Sequence, residues 1–183
     1  MGLLRLGLDW HLLYLMRRMD FRSKWRTWIK ESISSATFSI LINGSPKGFF
    51  PAERGLGQGD PLSSFLFVII GEALSRMLSK AEACNLIHGF KPSQNAPSVS
   101  HLQYLDDTLL FCDADEDQIK NLVAILRCFK AVSGLRINFS KSSILGVSIE
   151  DISLHHYATI LGCRVDSFPS TYLGVPLCLD RVP

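Results

Sequence analysis

The chain has 183 residues, 47% hydrophobic and 20% charged, with a formal net charge of +2. That much apolar content at so little net charge excludes a disordered chain and supports one globular domain with a real core. The longest purely apolar run, Phe65–Ile70, is far too short to span a bilayer, and the N-terminus shows neither a signal peptide with a cleavage site nor a myristoylation pattern, so an intracellular chain with no membrane partner is expected.

In chain order, Asp9 can cap a first helix carrying Leu12, Leu13, Met16 and Met19 on one side, and Ser23 a second with Trp25, Trp28, Ile29 and Ile33 as its apolar stripe. The period then shortens. Phe38, Ile40 and Ile42 alternate with Ser39 and Leu41, and Asn43-Gly44 predicts a hairpin whose second strand lies near Lys47–Phe50. A glycine-rich loop, RGLGQGDPLS, ends with Asp60 as N-cap and Pro61 as the first helical residue. The helix from Pro61 to about Ala83 starts apolar nearly all round, as buried helices do. After the loop KPSQNAPS, residues 100–112 read as a hairpin with Asp106 and Asp107 at its tip. DADEDQIKNLVAILRCFKAVSG reads as an amphipathic helix closed by Gly134. LRIN and SSILGV read as short strands, Ser148–Leu161 as a helix stopped by Gly162, and TYLGVPL as a closing strand with Pro176 near an edge. Helices mixed with antiparallel hairpins make the class α+β.

Charge is segregated. Residues 1–54 carry nine Lys/Arg against four Asp/Glu, residues 55–117 three against nine, and residues 118–183 seven against four. Scattered surface charge fits this pattern; so does a basic surface for a polyanion around an acidic centre for cations. The five cysteines, at 84, 112, 128, 163 and 178, have no metal-ligand spacing, which argues against zinc, and several stand in apolar context like reduced core residues.

Three segments carry candidate chemistry. Asp106 and Asp107 stand side by side within an otherwise apolar run, HLQYLDDTLLFC. Burying two like charges is costly without neutralisation, and clustered carboxylate oxygens suit Mg²⁺, which in pairs activates a hydroxyl and stabilises a leaving phosphate oxygen. For the dipeptide alone a solvated turn between two strands is the favoured reading, since Asp is common in turns. Gly55, Gly57 and Gly59 permit close backbone approach to a ligand, Gln58 both donates and accepts, and the following helix N-terminus favours phosphate; an ordinary loop-to-helix connection fits too. Lys141, in GLRINFSKSSIL, can stabilise a phosphate or donate a proton, or be a plain surface lysine.

Taken in order, RGLGQGDPLSSFLFVIIGEALSRML, HLQYLDDTLLF, GLRINFSKSSILGV and FPSTYLGVPL resemble the reverse transcriptase of non-LTR (LINE-type) retrotransposons, especially those of plant genomes, from about Trp10 to about Leu177. SILINGSPKGFF is similar to the hairpin that precedes the family's glycine loop. The resemblance implies a right-hand polymerase palm, an antiparallel sheet with helices packed on one face, with partial fingers and no thumb. It implies one partial domain over residues 1–183, with about residues 1–50 preceding a palm core at 51–183. Asp106 and Asp107 are then the expected metal-binding aspartates and Lys141 a catalytic lysine. Arg54, Gln58, Gly59, Asp60 and Tyr104 are the expected nucleotide and template contacts, and YLGVP the element that grips the primer. RNA template, DNA primer, deoxynucleotides and Mg²⁺ are the implied partners, and a nuclear location follows from the resemblance alone.

The pattern also departs from the family. Leu105 replaces a usual Ala, Gly57 a common basic residue and Ser64 a usual Pro. The family's other essential aspartate, a few residues before the tryptophan that Trp10 resembles, falls just before Met1 on counting back, with Asp9 the only nearby carboxylate. A two-metal site incomplete in this chain, and inactivity of the chain alone, are the resulting expectations. The alternatives are a nucleic-acid-binding remnant that uses Trp25 and Trp28 among Arg22, Lys24, Arg26 and Lys30, unless those tryptophans are core, or a relic without function.

Overall fold

The computed structural model describes residues 8–35, 37–51, 61–135 and 137–178. Helix α1 (Leu8–Arg18) and helix α2 (Ser23–Ser34) pack against each other. Leu12, Leu15 and Met16 of α1, and Ile29 and Ile33 of α2, form their buried stripes at the i, i+3/i+4 spacing of an amphipathic helix. Ser23 does not cap α2. The cap position is Arg22, whose side chain makes no capping hydrogen bond. Strands β1 (Thr37–Ile42) and β2 (Ser45–Pro51) form the expected hairpin. Asn43 (φ 50°) and Gly44 (φ 78°) both take positive φ, as the tight turn favoured by strand twist requires.

Helix α3 (Pro61–Ala83) follows. It is the described helix long and apolar enough, by length and composition alone, to cross a bilayer. Ile70 and Leu78 on it are fully buried within the fold. Strands β3 (His101–Tyr104) and β4 (Asp107–Leu110) make the second hairpin. The loop between α3 and β3 is pinned by the paired bridge Phe90–Val99. Gly89 is required there, because a Cβ would lie 2.6 Å from the Val99 backbone. Helix α4 (Glu116–Ser133) buries Ile119, Leu122, Val123, Leu126 and Phe129. It ends as expected at Gly134 (φ 71°), whose N–H donates to the Lys130 carbonyl.

The last third departs most from expectation. LRIN forms no strand among the described residues; a short 3₁₀ turn, Phe139–Lys141, follows instead, with the Asn138 side chain accepting from the Lys141 N–H. Of SSILGV only Ser143–Ile144 (β5) is strand. It pairs in parallel with β6 (Arg164–Val165), the intervening helix α5 (Asp151–Leu161) making the crossover that a parallel pair needs. Gly162 (φ 73°) ends α5 as expected. TYLGVPL is a hairpin, not one strand: β7 (Ser170–Tyr172) turns through Leu173 and Gly174, both at positive φ, into β8 (Val175–Leu177).

The class is therefore α+β, with the β structure of the described residues in four two-stranded sheets. Three of the described pairs are antiparallel hairpins closed by tight local turns, and the fourth, β5–β6, is the parallel pair joined through α5. The chain divides into two compact units, 1–74 with 129–135, and 75–128 with 136–183. Several cysteines read as reduced core residues; Cys112 and Cys163 are half-buried, while Cys84, Cys128 and Cys178 are exposed. Apolar flanks in sequence do not decide which face of a helix a residue occupies.

Candidate functional site

The β3–β4 hairpin lifts Asp106 and Asp107 out of the apolar run that encloses them in sequence. Leu105 and Asp106 form the turn, Asp107 opens β4 opposite Tyr104, and all four residues are exposed. Exposure removes the burial problem: water solvates both carboxylates, so neither needs a buried counter-charge. Leu105 stands at φ 51°, a conformation that costs an L-residue with a side chain.

Two contacts hold this hairpin from below and from the side. At its base, His101 Nε2 lies 2.8 Å from Ser75 Oγ on α3, and His101 Nδ1 lies 3.1 Å from Ser100 Oγ. Both ring nitrogens are thus engaged, which fixes the ring. Across the hairpin, the Tyr172 hydroxyl lies 3.4 Å from both the Leu102 and Asp107 carbonyl oxygens and shares its one proton between them. The fold thereby brings the YLGVP segment onto the aspartate hairpin. Neither contact is readable in the sequence, because the partners lie 26 and 65–70 residues apart.

Lys141 is placed differently. It ends the 3₁₀ turn with its side chain exposed, and among the described residues it makes no ion pair with Asp106 or Asp107. Arg54, Gln58, Gly59 and Asp60 lie outside the described residues. Asp9 falls within α1. Among the described residues no group of three or more His, Cys, Asp or Glu is arranged to hold a metal ion. The adjacent pair is still an all-oxygen donor set of the kind Mg²⁺ accepts, since that ion commonly binds through one or two carboxylates and fills its shell with water and substrate phosphate.

Beyond β4 the acidic segment is organised around Gln118. Its buried Oε1 accepts from the His88 N–H (2.8 Å) and the Asp113 N–H (3.3 Å), and its Nε2 donates to Asp113 Oδ2 (3.2 Å). His88 Nδ1 lies 2.9 Å from the same carboxylate oxygen. Hydrogen bonding by His88, then by Gln118, holds the Asp113 carboxyl below its usual range. Burial, with Asp113 and Asp115 nearby, pushes the Cys112 thiol up to about 11. Glu116 bonds Lys120 and His156 and is likewise lowered, first by Lys120.

The described residues thus form an α+β chain that presents two adjacent carboxylates on a tight hairpin, braced by a second hairpin. Comparison gives the family. The reverse transcriptase (RNA-dependent DNA polymerase) family matches residues 9–177, and the chain belongs to it. It is 24% identical over 138 residues, 75% of the chain, to a retrovirus-related Pol polyprotein from the type-1 retrotransposable element R2 of Popillia japonica. It is 43% identical over 69 residues, 38% of the chain, to an uncharacterised mitochondrial protein of Arabidopsis thaliana. The chain spans 22% of the first relative's length and 57% of the second's. The expectation of the reverse transcriptase family, drawn from four short motifs, is met.

Proposed function

We propose that the chain is a palm segment of a non-LTR reverse transcriptase, acting at the β3–β4 hairpin on an RNA template, a DNA primer and deoxynucleotides. One observation carries this reading: within a family match covering 9–177, the two adjacent aspartates stand exposed at a hairpin tip that the YLGVP hairpin braces.

In this reading Asp106 and Asp107 hold Mg²⁺, which supplies activation of the primer hydroxyl and neutralisation of phosphate charge. The chain's own residues position and orient. Ser75 and His101 fix the base of the hairpin, and Tyr172 limits its tilt. Tyr104, more than half exposed, offers a ring beside the carboxylates for a nucleotide. Lys141 offers a cation to phosphate, and Arg54, Gln58, Gly59 and Asp60 line the nucleotide and template. Two carboxylates fall short of a two-metal centre, so further oxygen ligands complete the site, and the chain alone is a weak or inactive polymerase. A nuclear site of action belongs to the same proposal.

The test has two readouts. Calorimetric titration with Mg²⁺ in the presence of deoxynucleotide should show binding that is lost in the Asp106→Ala, Asp107→Ala double variant. Primer extension on an RNA template should be at or near background for both. Equal Mg²⁺–nucleotide binding by the native chain and the variant would overturn the assignment of the aspartates. Robust extension by the native chain alone would overturn the incompleteness of the site.

A further inference from the structure

Trp25 and Trp28 of α2 are each 50% exposed; Trp25 continues the stripe of Ile29 and Ile33 and so lies at the open end of that buried face. The β1–β2 hairpin has no such cover. Every residue of β1 is exposed except the half-buried Ser39, with Leu41 at 71% and Ile40 at 60%. The hairpin packs chiefly on itself: Phe38 and Phe50 meet across it with ring centroids 6.2 Å apart. Two strands alone are marginal in water, and further strands on an apolar face are what make such a ribbon stable.

The two edges of this ribbon differ. Strand β2 reads SPKGFFP: Pro46 and Pro51 have no N–H to donate, Lys47 is charged, and the register shifts between Lys47 and Phe50, where Gly48 takes φ 62°. Proline, charge and a bulge are the features that keep a further strand from pairing. Strand β1 reads TFSILI and has neither proline nor charge. Among the described residues it pairs with β2 alone. The two-residue turn at Asn43-Gly44 makes Ile42 and Ser45 a hydrogen-bonded pair. The alternation of an antiparallel ladder then turns the N–H and C=O of Leu41, opposite Pro46, toward the open edge, and those of Ser39, two residues back, the same way.

We propose that β1 pairs antiparallel with β1 of a second copy of this chain, giving a closed dimer with strand order β2–β1–β1–β2. A strand that meets itself about a two-fold axis repels itself through any net charge it carries, and β1 carries none. With the axis at Ile40, the outward Ser39 and Leu41 of one copy exchange hydrogen bonds with Leu41 and Ser39 of the other. Ile40 then faces Ile40 of the second copy, and Phe38 faces Ile42, an aromatic ring against a β-branched side chain. Because both β2 edges stay blocked, the sheet stops at four strands and does not grow into a fibre. Six residues a side fall well short of the roughly 20–30 that a stable dimer contacts, so the pair is transient and concentration-dependent. The interface uses no residue of the aspartate hairpin and is independent of the polymerase reading.

The test is sedimentation velocity of the full chain in EDTA over about a hundredfold range of concentration. A monomer at the low end should give way to a dimer at the high end, with no larger species. Leu41→Pro removes one outward N–H without touching a bond inside the hairpin, and it should raise the dissociation constant at least about tenfold. Lys47→Glu, on the blocked edge, should leave it unchanged. A second measurement does not depend on the proline variant folding. Residues opposed at the axis bring their Cβ atoms within about 4.5–5.5 Å, near enough for a disulfide to form. Under mild oxidation the Ile40→Cys chain should link to its own copy at position 40, detected as a joined peptide by mass spectrometry. The Ile42→Cys chain should link at position 42 at least about tenfold less, because its opposite number is Phe38. A monomer at every concentration, growth beyond the dimer, an unchanged dissociation constant in a folded Leu41→Pro chain, or equal linkage at positions 40 and 42 would overturn the proposal.

Discussion

Leu105 sits at the centre of the site and is its least comfortable residue. A leucine at φ 51° carries a conformational cost of about 1–2 kcal/mol that glycine would not. Leu105→Gly regains that cost but gives the unfolded chain about 0.4–1 kcal/mol of extra freedom. A net stabilisation of about 0.5–1 kcal/mol is expected in urea unfolding. The residue scale also gives a chemical test. With its thiol pushed up to about 11, Cys112 stays protonated at pH 8 and should react with a disulfide reagent well after the exposed Cys84, Cys128 and Cys178. Modification timed by mass spectrometry checks the order. The identity of Asp106 and Asp107 as a pair was legible in the sequence, because adjacency is local. Their place at an exposed hairpin tip was legible too, as the solvated turn the dipeptide allows; the positive φ of Leu105 and the hydroxyl of Tyr172 that braces the hairpin were not, since a leucine gives no sign of the first and the second comes from a distant part of the chain.

At the scale of elements, Gln118 joins the loop after α3 to the start of α4. Replacing it with alanine orphans the N–H groups of His88 and Asp113, and about 1–3 kcal/mol of stability should be lost in a denaturant titration. The same joint sets a pH dependence. The Asp113 carboxyl is lowered in the folded chain, so its contribution is present above the ordinary carboxylate pKa, roughly 3.9. It is lost as pH falls through the lower folded value. Stability measured from pH 6 downward should decline more steeply, on the acid side of about pH 4, for the native chain than for Asp113→Asn. Which elements could be read in advance follows from how local their causes are. Asn43-Gly44, Gly134 and Gly162 marked real turns and helix ends, because only a few residues adopt positive φ cheaply. Leu173-Gly174 makes a similar turn, yet TYLGVPL read as one strand, because leucine at that position gives no warning. The parallel pair β5–β6 was invisible for a further reason: two-residue strands carry no period, and they meet only because α5 folds back between them.

At the scale of the whole molecule, neither compact unit is continuous in sequence. Residues 1–74 are completed by Phe129–Leu135, and the other unit is assembled from 75–128 and 136–183. Phe129 is buried and Ser133 fully so, so that short return is part of the packing and not a tether. A fragment ending at Cys128 should therefore show faster amide exchange in α1 and α2 than the full chain, by at least about tenfold. Equal protection would show that the first unit closes without its returning segment. The consequence reaches back to synthesis. A ribosome delivers α1, α2 and the first hairpin early, but the segment that completes their unit emerges only after the aspartate hairpin and the greater part of α4. The earliest helices therefore wait through more than fifty residues of translation before the segment that completes their unit exists.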